Sequence, residues 1–213
     1  MQVLGIDIGG TGIKGCPVCT ETGEMLGERF RIPTPKEATE SAVLETVQSI
    51  AKEFSWKGPV GCGYPGVVRR GVIHTAANLD KSLIGVDFAA SLGRRVGRPA
   101  WVVNDADAAG LAEMRFGAGK DEHGVVIMLT IGTGIGTALF VDGHLVPNLE
   151  LGHVKMRLHK DPKYHDAEKL VADSARKRAD LSWKQWSKRF NRYLAYMQKL
   201  INPDLIILGG GAA

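Results

Sequence analysis

Two glycine-rich segments of nearly the same wording lie about 120 residues apart, each between two apolar runs. The first is Asp7-Ile-Gly-Gly-Thr-Gly-Ile13 and the second is Thr130-Ile-Gly-Thr-Gly-Ile135. Val3–Ile8 and Ile13–Val18 read as strands around the first, and Val125–Thr130 and Thr137–Val141 as strands around the second. Strand, glycine loop, strand is a hairpin. A hairpin written twice predicts two related α/β domains. The boundary is placed near Val103, giving an N-terminal domain over residues 1–103 and a C-terminal domain over 104–213.

The other elements follow from local signals. A third strand is expected near Glu28–Ile32. Thr34-Pro35-Lys36-Glu37 has the wording of a capped helix start, and Val43, Val47, Ile50, Ala51 and Phe54 continue one apolar face, so a helix is expected over Pro35–Phe54. Val60–Gly63 and Ala100–Val103 read as short strands, with a loop-rich stretch between them. An alanine-rich helix is expected over Ala106–Phe116. Ser182–Ile201 is expected to be helical, with Ser182 and Gln185 as a capping box and apolar residues stepping by three or four. Asn202-Pro203 stops it, and Leu205–Leu208 is one more strand.

Composition excludes several classes. Of 213 residues, 44% are hydrophobic and 23% charged, the balance of a globular protein. Three cysteines are too few for a disulfide scaffold and imply free thiols. Cys16-Pro-Val-Cys19 lies within an expected strand and lacks a second CxxC, so it reads as structural. His159 and His165 have no cysteine neighbours, and no zinc site is expected. No apolar run approaches the roughly 20 residues needed to cross a bilayer, and the N-terminus reads as a strand rather than a signal peptide. The expected address is cytoplasmic, with no membrane partner.

The net charge is only +4, but it is unevenly spread. Lys155–Arg192 holds 12 Lys and Arg against 5 acids, so this stretch is +7 and the remainder −3. A segregated basic surface attracts polyanions. Within it Lys184, Lys188 and Arg192 step along one side of the expected helix: a solvated face or a polyanion track.

The glycine loops suit phosphate, because backbone without Cβ lets N–H groups approach an anion. Neither loop is a Walker loop, and Thr137 with a following strand departs from the dinucleotide fingerprint. Tight hairpins also need glycine for themselves. Asp7, at a strand end beside Gly9, Gly10 and Thr11, can hold Mg²⁺ through water, and Lys14 lies just past the loop. Asn104-Asp105 falls between a strand and a helix: Asp105 is either a helix cap or a base that accepts a hydroxyl proton as that oxygen attacks phosphorus. Glu150-Leu-Gly-His153 is either an ordinary polar loop or a pair that holds sugar hydroxyls.

In combination these segments resemble the ROK family of sugar kinases, and within it the branch that uses polyphosphate. The resemblance rests on Asp7–Gly15, Gly63-Tyr-Pro-Gly66, Ala77-Asn-Leu79, Val103–Glu113, Leu129–Gly136 and Glu150–His153, with Leu181–Tyr193 similar to the polyphosphate branch in particular. It implies an actin-like, RNase H-like fold of two α/β domains with a ligand cleft. It implies phosphorylation of glucose at its 6-hydroxyl with Asp105 as base. Gly66, Asn78, Asn104, Glu150, His153 and Glu168 are then expected to hold the sugar. Asp7 with Mg²⁺, Gly9, Gly10, Thr11, Lys14, Gly132, Thr133 and Gly134 are expected to address the phosphoryl donor, inorganic polyphosphate or ATP. A homodimer is expected, and no nucleic acid.

Two departures qualify the resemblance. The cysteine cluster that holds zinc in many members is absent, as in the polyphosphate branch. The chain also stops at Gly209-Gly-Gly211, where the family opens a helix, so a shortened C-terminal domain is expected. Competing readings are an ATP-dependent kinase of another hexose and a catalytically silent sugar-binding relative.

Overall fold

The computed structural model describes residues 1–77, 79–158 and 161–213. The chain forms two compact units, Met1–Ala108 and Ala109–Ala213.

The first unit is built on the hairpin of β1 (Gln2–Ile8) and β2 (Ile13–Cys19). They pair antiparallel from Gln2↔Cys19 to Ile8↔Ile13, closed by the first glycine loop. After β3 (Phe30–Ile32) comes α1 (Glu40–Glu53), then β4 (Val60–Tyr64), the small hairpin of β5 (Val68–Arg69) and β6 (Val72–Ile73), α2 (Phe88–Val96), β7 (Ala100–Asn104) and the start of α3 (Asp105–Phe116), whose residues from Ala109 on belong to the second unit. The sheet order is β3-β2-β1-β4-β7, with β4 parallel to both β1 and β7. Leu4, Ile6 and Ile8 of β1 are buried, as are Val43, Val47 and Ile50 of α1 and Phe88 and Leu92 of α2, and they share one core. Burying a side chain of this size stabilises by about 1.5–3 kcal/mol.

Two expectations for this unit are corrected. The first helix does not begin at Thr34-Pro35. It begins at Glu40, and Thr39 caps it by accepting from Ala42 N. Thr34 instead donates its hydroxyl to the carbonyl of Gly9. The stretch read as loop contains α2, capped by Asp87 and ended by Gly97 at φ +66°. Its apolar signal is short, and left-handed Gly97 is the stop that marked it.

The second unit repeats the first. β8 (Val125–Ile131) and β9 (Ile135–Val141) form an antiparallel hairpin closed by the second glycine loop at Ile131↔Ile135. The chain continues through β10 (His144–Val146), β11 (Lys155–Met156), β12 (His165–Asp166), α4 (Glu168–Val171), α5 (Asp173–Arg178), α6 (Trp183–Ile201) and β13 (Leu205–Gly209). The sheet order β10-β9-β8-β13, with β13 parallel to β8, matches the first four strands of the other sheet. The echo between the loops is therefore an echo in topology. Gly110 of α3 packs hard on this sheet: a Cβ there would lie 2.5 Å from Ala138 Cβ and 2.9 Å from Phe140 Cε2.

Helix α6 follows its sequence signals. Ser182 caps it, and the reciprocal bonds with Gln185 complete the capping box. Trp186, Phe190, Tyr193 and Met197 are buried, whereas Trp183 and Leu200 of the same stripe are exposed. Arg176 covers Trp183, its guanidinium 4.1 Å from the ring centre. Cys16 and Cys19 both lie in β2, and all three cysteines are free thiols. No helix among the described residues is long and apolar enough to cross a membrane.

Gly110→Ala tests the packing of α3. Alanine favours a helix by about 1 kcal/mol, but overpacking costs about 1–3 kcal/mol. The variant is expected to melt below wild type in a thermal unfolding scan.

Candidate active site

In the first unit, pairing across the sheet sets Arg31, Lys14, Asp7, Gly63 and Val103 in one row. Opposed residues of adjacent strands share a face. Lys14 Nζ lies 3.0 Å from Asp7 Oδ2 in an exposed ion pair. Gly63 has no side chain at this point, and Asp105 occupies the space beside it: a Cβ on Gly63 would lie 3.4 Å from Asp105 Cα. Asp7 and Asp105 thus flank the same glycine.

Asn104 is the helix cap, its Oδ1 accepting from Asp107 N at 3.0 Å. Its Nδ2 donates to Gly66 O at 3.1 Å, so the same side chain ties the helix start to the Gly66 turn. Asp105 is the first helical residue, half-buried, with Oδ1 accepting from Ala106 N at 2.8 Å. Gly66 is required by packing, since a Cβ there would meet Thr75 O at 2.7 Å. Asn78 lies outside the described residues.

The first loop is held by Gly9 N donating to Gly12 O at 3.1 Å and by the Thr34 hydroxyl on Gly9 O. Among the described residues, the N–H groups of Gly10 and Thr11 have no hydrogen-bond partner. Such groups in a glycine loop are what an anion needs. Asp7 is exposed enough to hold a hydrated ion, and Mg²⁺ commonly keeps several waters and takes one or two carboxylates plus phosphate oxygens. The residues fit that role. No three His, Cys, Asp or Glu side chains among the described residues are placed to ligate a metal directly.

In the second unit, Gly132 N donates to Gly134 O at 3.1 Å. The loop is tied to α5: Asp173 N donates to Gly132 O at 3.1 Å, and Ser174 Oγ donates to Thr133 O at 2.6 Å. Thr137, the residue that broke the dinucleotide fingerprint, donates its buried hydroxyl to Leu149 O and accepts from Leu151 N. That bond seats the Glu150–His153 turn against β9. Gly152 allows the contact, because a Cβ there would lie 2.4 Å from Ile135 O.

His153 stands between two carboxylates, Nε2 3.8 Å from Glu150 Oε2 and Nδ1 3.8 Å from Glu168 Oε1. Both separations are too long for direct hydrogen bonds. Glu168 also leans over the second loop, its Oε2 2.6 Å from where a Cβ on Gly134 would sit. Carboxylates accept and imidazole both donates and accepts, the mixture that adjacent sugar hydroxyls need.

The basic stretch divides into paired and unpaired charges. Lys155 and Lys169 pair with Asp166, and Arg176 and Lys177 pair with Asp173. Lys184, Lys188 and Arg192 are exposed on α6 and form no ion pair among the described residues. Sequence reasoning missed Thr34, Arg31, Thr137, Asp173 and Ser174. Each acts through a partner distant in sequence, and only the hydroxyl and charge of the residues themselves were there to be read.

Hydrogen bonds from Lys177 and then Arg176 hold the Asp173 carboxyl below the usual carboxylate range. A lowered folded-state pKa stabilises above the unfolded value, and that contribution fades as pH falls through the folded value. Asp173→Asn is expected to melt below wild type at pH 7. The difference should close in acid, below about pH 4, in melting curves recorded against pH.

Comparison with known proteins agrees with this geometry. Residues 3–167 match the model of the ROK family. The chain is 45% identical over 209 residues to a polyphosphate glucokinase of Mycobacterium tuberculosis, a match covering 98% of this chain and 77% of the relative. The crystal structure of an inorganic polyphosphate/ATP-glucomannokinase from Arthrobacter sp. strain KM matches with a TM-score of 0.90 at 48% identity, over 99% of this chain and 83% of that one. A ROK family glucokinase from Streptomyces griseus, solved with glucose and AMPPNP, matches with a TM-score of 0.81 at 25% identity, over 99% and 83% of the two chains. The repeated hairpin sheets are those of the actin-like, RNase H-like fold of these sugar kinases. With the glycine loops, the capped Asp105 and the Glu150–His153 turn all present on that fold, the chain belongs to the ROK family.

Proposed function

We propose that this protein phosphorylates glucose at its 6-hydroxyl, with inorganic polyphosphate as donor and ATP as a second donor. The observation that carries the reading is Asp105, a half-buried carboxylate at a helix N-terminus past the end of β7. Asn104 performs the capping, and Asp105 follows it as the first helical residue. The names of the relatives supply the substrates: one is a polyphosphate glucokinase, the other a polyphosphate/ATP-glucomannokinase.

In this mechanism Asp105 accepts the proton of the sugar hydroxyl as the oxygen attacks the terminal phosphorus. Within the second unit Glu150, His153 and Glu168 suit sugar hydroxyls, and within the first Asn104 fixes the Gly66 turn. In the first unit the loop N–H groups of Gly10 and Thr11, with Lys14, suit the donor's phosphate oxygens, and in the second unit the Gly132–Gly134 loop suits the same chemistry. Asp7 would hold Mg²⁺ through water, and the ion supplies charge neutralisation on the donor. Phosphoryl transfer needs positioning and electrostatics more than covalent catalysis, and these residues provide both. The exposed row of Lys184, Lys188 and Arg192 suits the tail of a long polyphosphate. A cytoplasmic address and a homodimer belong to the same reading.

Asp105→Asn keeps the shape and removes the base. It is expected to lower kcat by roughly 10²–10⁴-fold, with the glucose Kd nearly unchanged, in a coupled assay for glucose 6-phosphate. Retention of wild-type kcat would remove Asp105 from the role.

Replacing Lys184, Lys188 and Arg192 together by Gln is expected to raise KM for long-chain polyphosphate and flatten its salt dependence. KM for ATP should hold steady, because ATP is too short to use the track. Equal changes for both donors would show that the stripe is only a solvated face.

A further inference from the structure

We propose that Arg31 is a second cationic contact for the phosphoryl donor at the first glycine loop. The proposal rests on the reading of that loop as the donor site. Antiparallel pairing sets Arg31 of β3 opposite Lys14 of β2, and Lys14 opposite Asp7 of β1. Lys14 and Asp7 pair at 3.0 Å, so their charges offset each other. That pair gives a polyanionic donor no net positive charge to meet. Arg31 does, because among the described residues no carboxylate lies within ion-pair distance of it.

The guanidinium is not loose on the surface. Its Nη2 donates to Thr11 O at 2.8 Å, which anchors it to the loop itself. It also lies against Gly12, where a Cβ would fall 2.5 Å from Nε and 2.7 Å from Cζ. Gly12 is not among the residues with positive φ, so its backbone does not demand glycine. The missing side chain at position 12 is room for Arg31. A sequence that leaves out a side chain, and a carbonyl that orients the fork, together hold a permanent cation beside the unpartnered N–H groups of Gly10 and Thr11. Guanidinium presents several N–H donors in a plane, and one carbonyl uses only one of them. The remaining donors match the oxygens of a phosphate. Tripolyphosphate and ATP share this chemistry, and both should feel the loss.

The test compares wild type, Arg31→Ala, Arg31→Lys and Gly12→Ala. Donor KM is measured with tripolyphosphate and with ATP. Tripolyphosphate binding is also titrated calorimetrically, and glucose KM and melting temperature are recorded for each variant. Arg31→Ala is expected to weaken tripolyphosphate binding and raise both donor KM values about tenfold or more, with glucose KM within twofold and an unchanged melting temperature. Arg31→Lys keeps the charge but not the fork, and should recover part of the loss. Gly12→Ala displaces the guanidinium and should reproduce the donor defect, with little further loss when combined with Arg31→Ala. Unchanged donor parameters in Arg31→Ala would overturn the proposal. So would a parallel fall in glucose affinity and melting temperature, which is the mark of a merely structural arginine. If wild type itself neither binds tripolyphosphate nor transfers phosphate, the donor reading of the loop fails, and the role of Arg31 falls with it.

Discussion

The register of the β1–β2 hairpin is the constraint on which the first unit depends. Ile6 and Ile8 face the core only while Asp7 faces outward, because side chains alternate along a strand. A slip of one residue would bury Asp7 and Lys14 and expose the isoleucines. The hydrophobic burial that stabilises the sheet therefore also fixes where the charges stand. The parallel pairing of β1 with β4 then sets Gly63 beside Asp7, and Asp105 fills the space Gly63 leaves. Packing and chemistry use the same register, so the polar row needs no separate scaffold.

The second unit applies the same plan with different tethers. In each loop a hydroxyl from elsewhere in the unit occupies a carbonyl: Thr34 on Gly9 in the first, Ser174 on Thr133 in the second. Among the described residues the N–H groups of Gly10 and Thr11 stay without a hydrogen-bond partner. Unpartnered N–H groups in a glycine loop suit an anion. The difference lies in the neighbours. The first loop carries Arg31, whose charge is uncompensated, while the second is tied to an α5 whose Arg176 and Lys177 are already engaged by Asp173. The Glu150–His153 turn depends on Thr137, whose single hydroxyl both donates and accepts to seat it.

Much of this was legible in the sequence because it is local. The two hairpins were readable from apolar runs around glycine, and α6 from its period, its capping box and its Asn202-Pro203 stop. Thr34-Pro35 misled because a capping hydroxyl and a loop-pinning hydroxyl look alike in one dimension. The true cap, Thr39, is separated from it by only five residues. Helix α2 escaped because nine residues give only about two turns of periodicity. The candidate site residues that carry motif wording, Asp7, Asp105, Glu150 and His153, are readable from the sequence. Arg31 and Thr137 could not, since what they do is set by β3 pairing with β2 and by the return of residues 149–151 to β9.

The central claim is that the chain transfers phosphate from polyphosphate to glucose. Its most direct test is a ³¹P NMR time course of the purified protein with glucose, Mg²⁺ and polyphosphate. The account predicts a growing glucose 6-phosphate signal with matching loss of polyphosphate, and a smaller or equal signal when ATP replaces it. Saturable glucose binding with no phosphoester from either donor would contradict it, and would leave a folded sugar-binding protein without kinase chemistry.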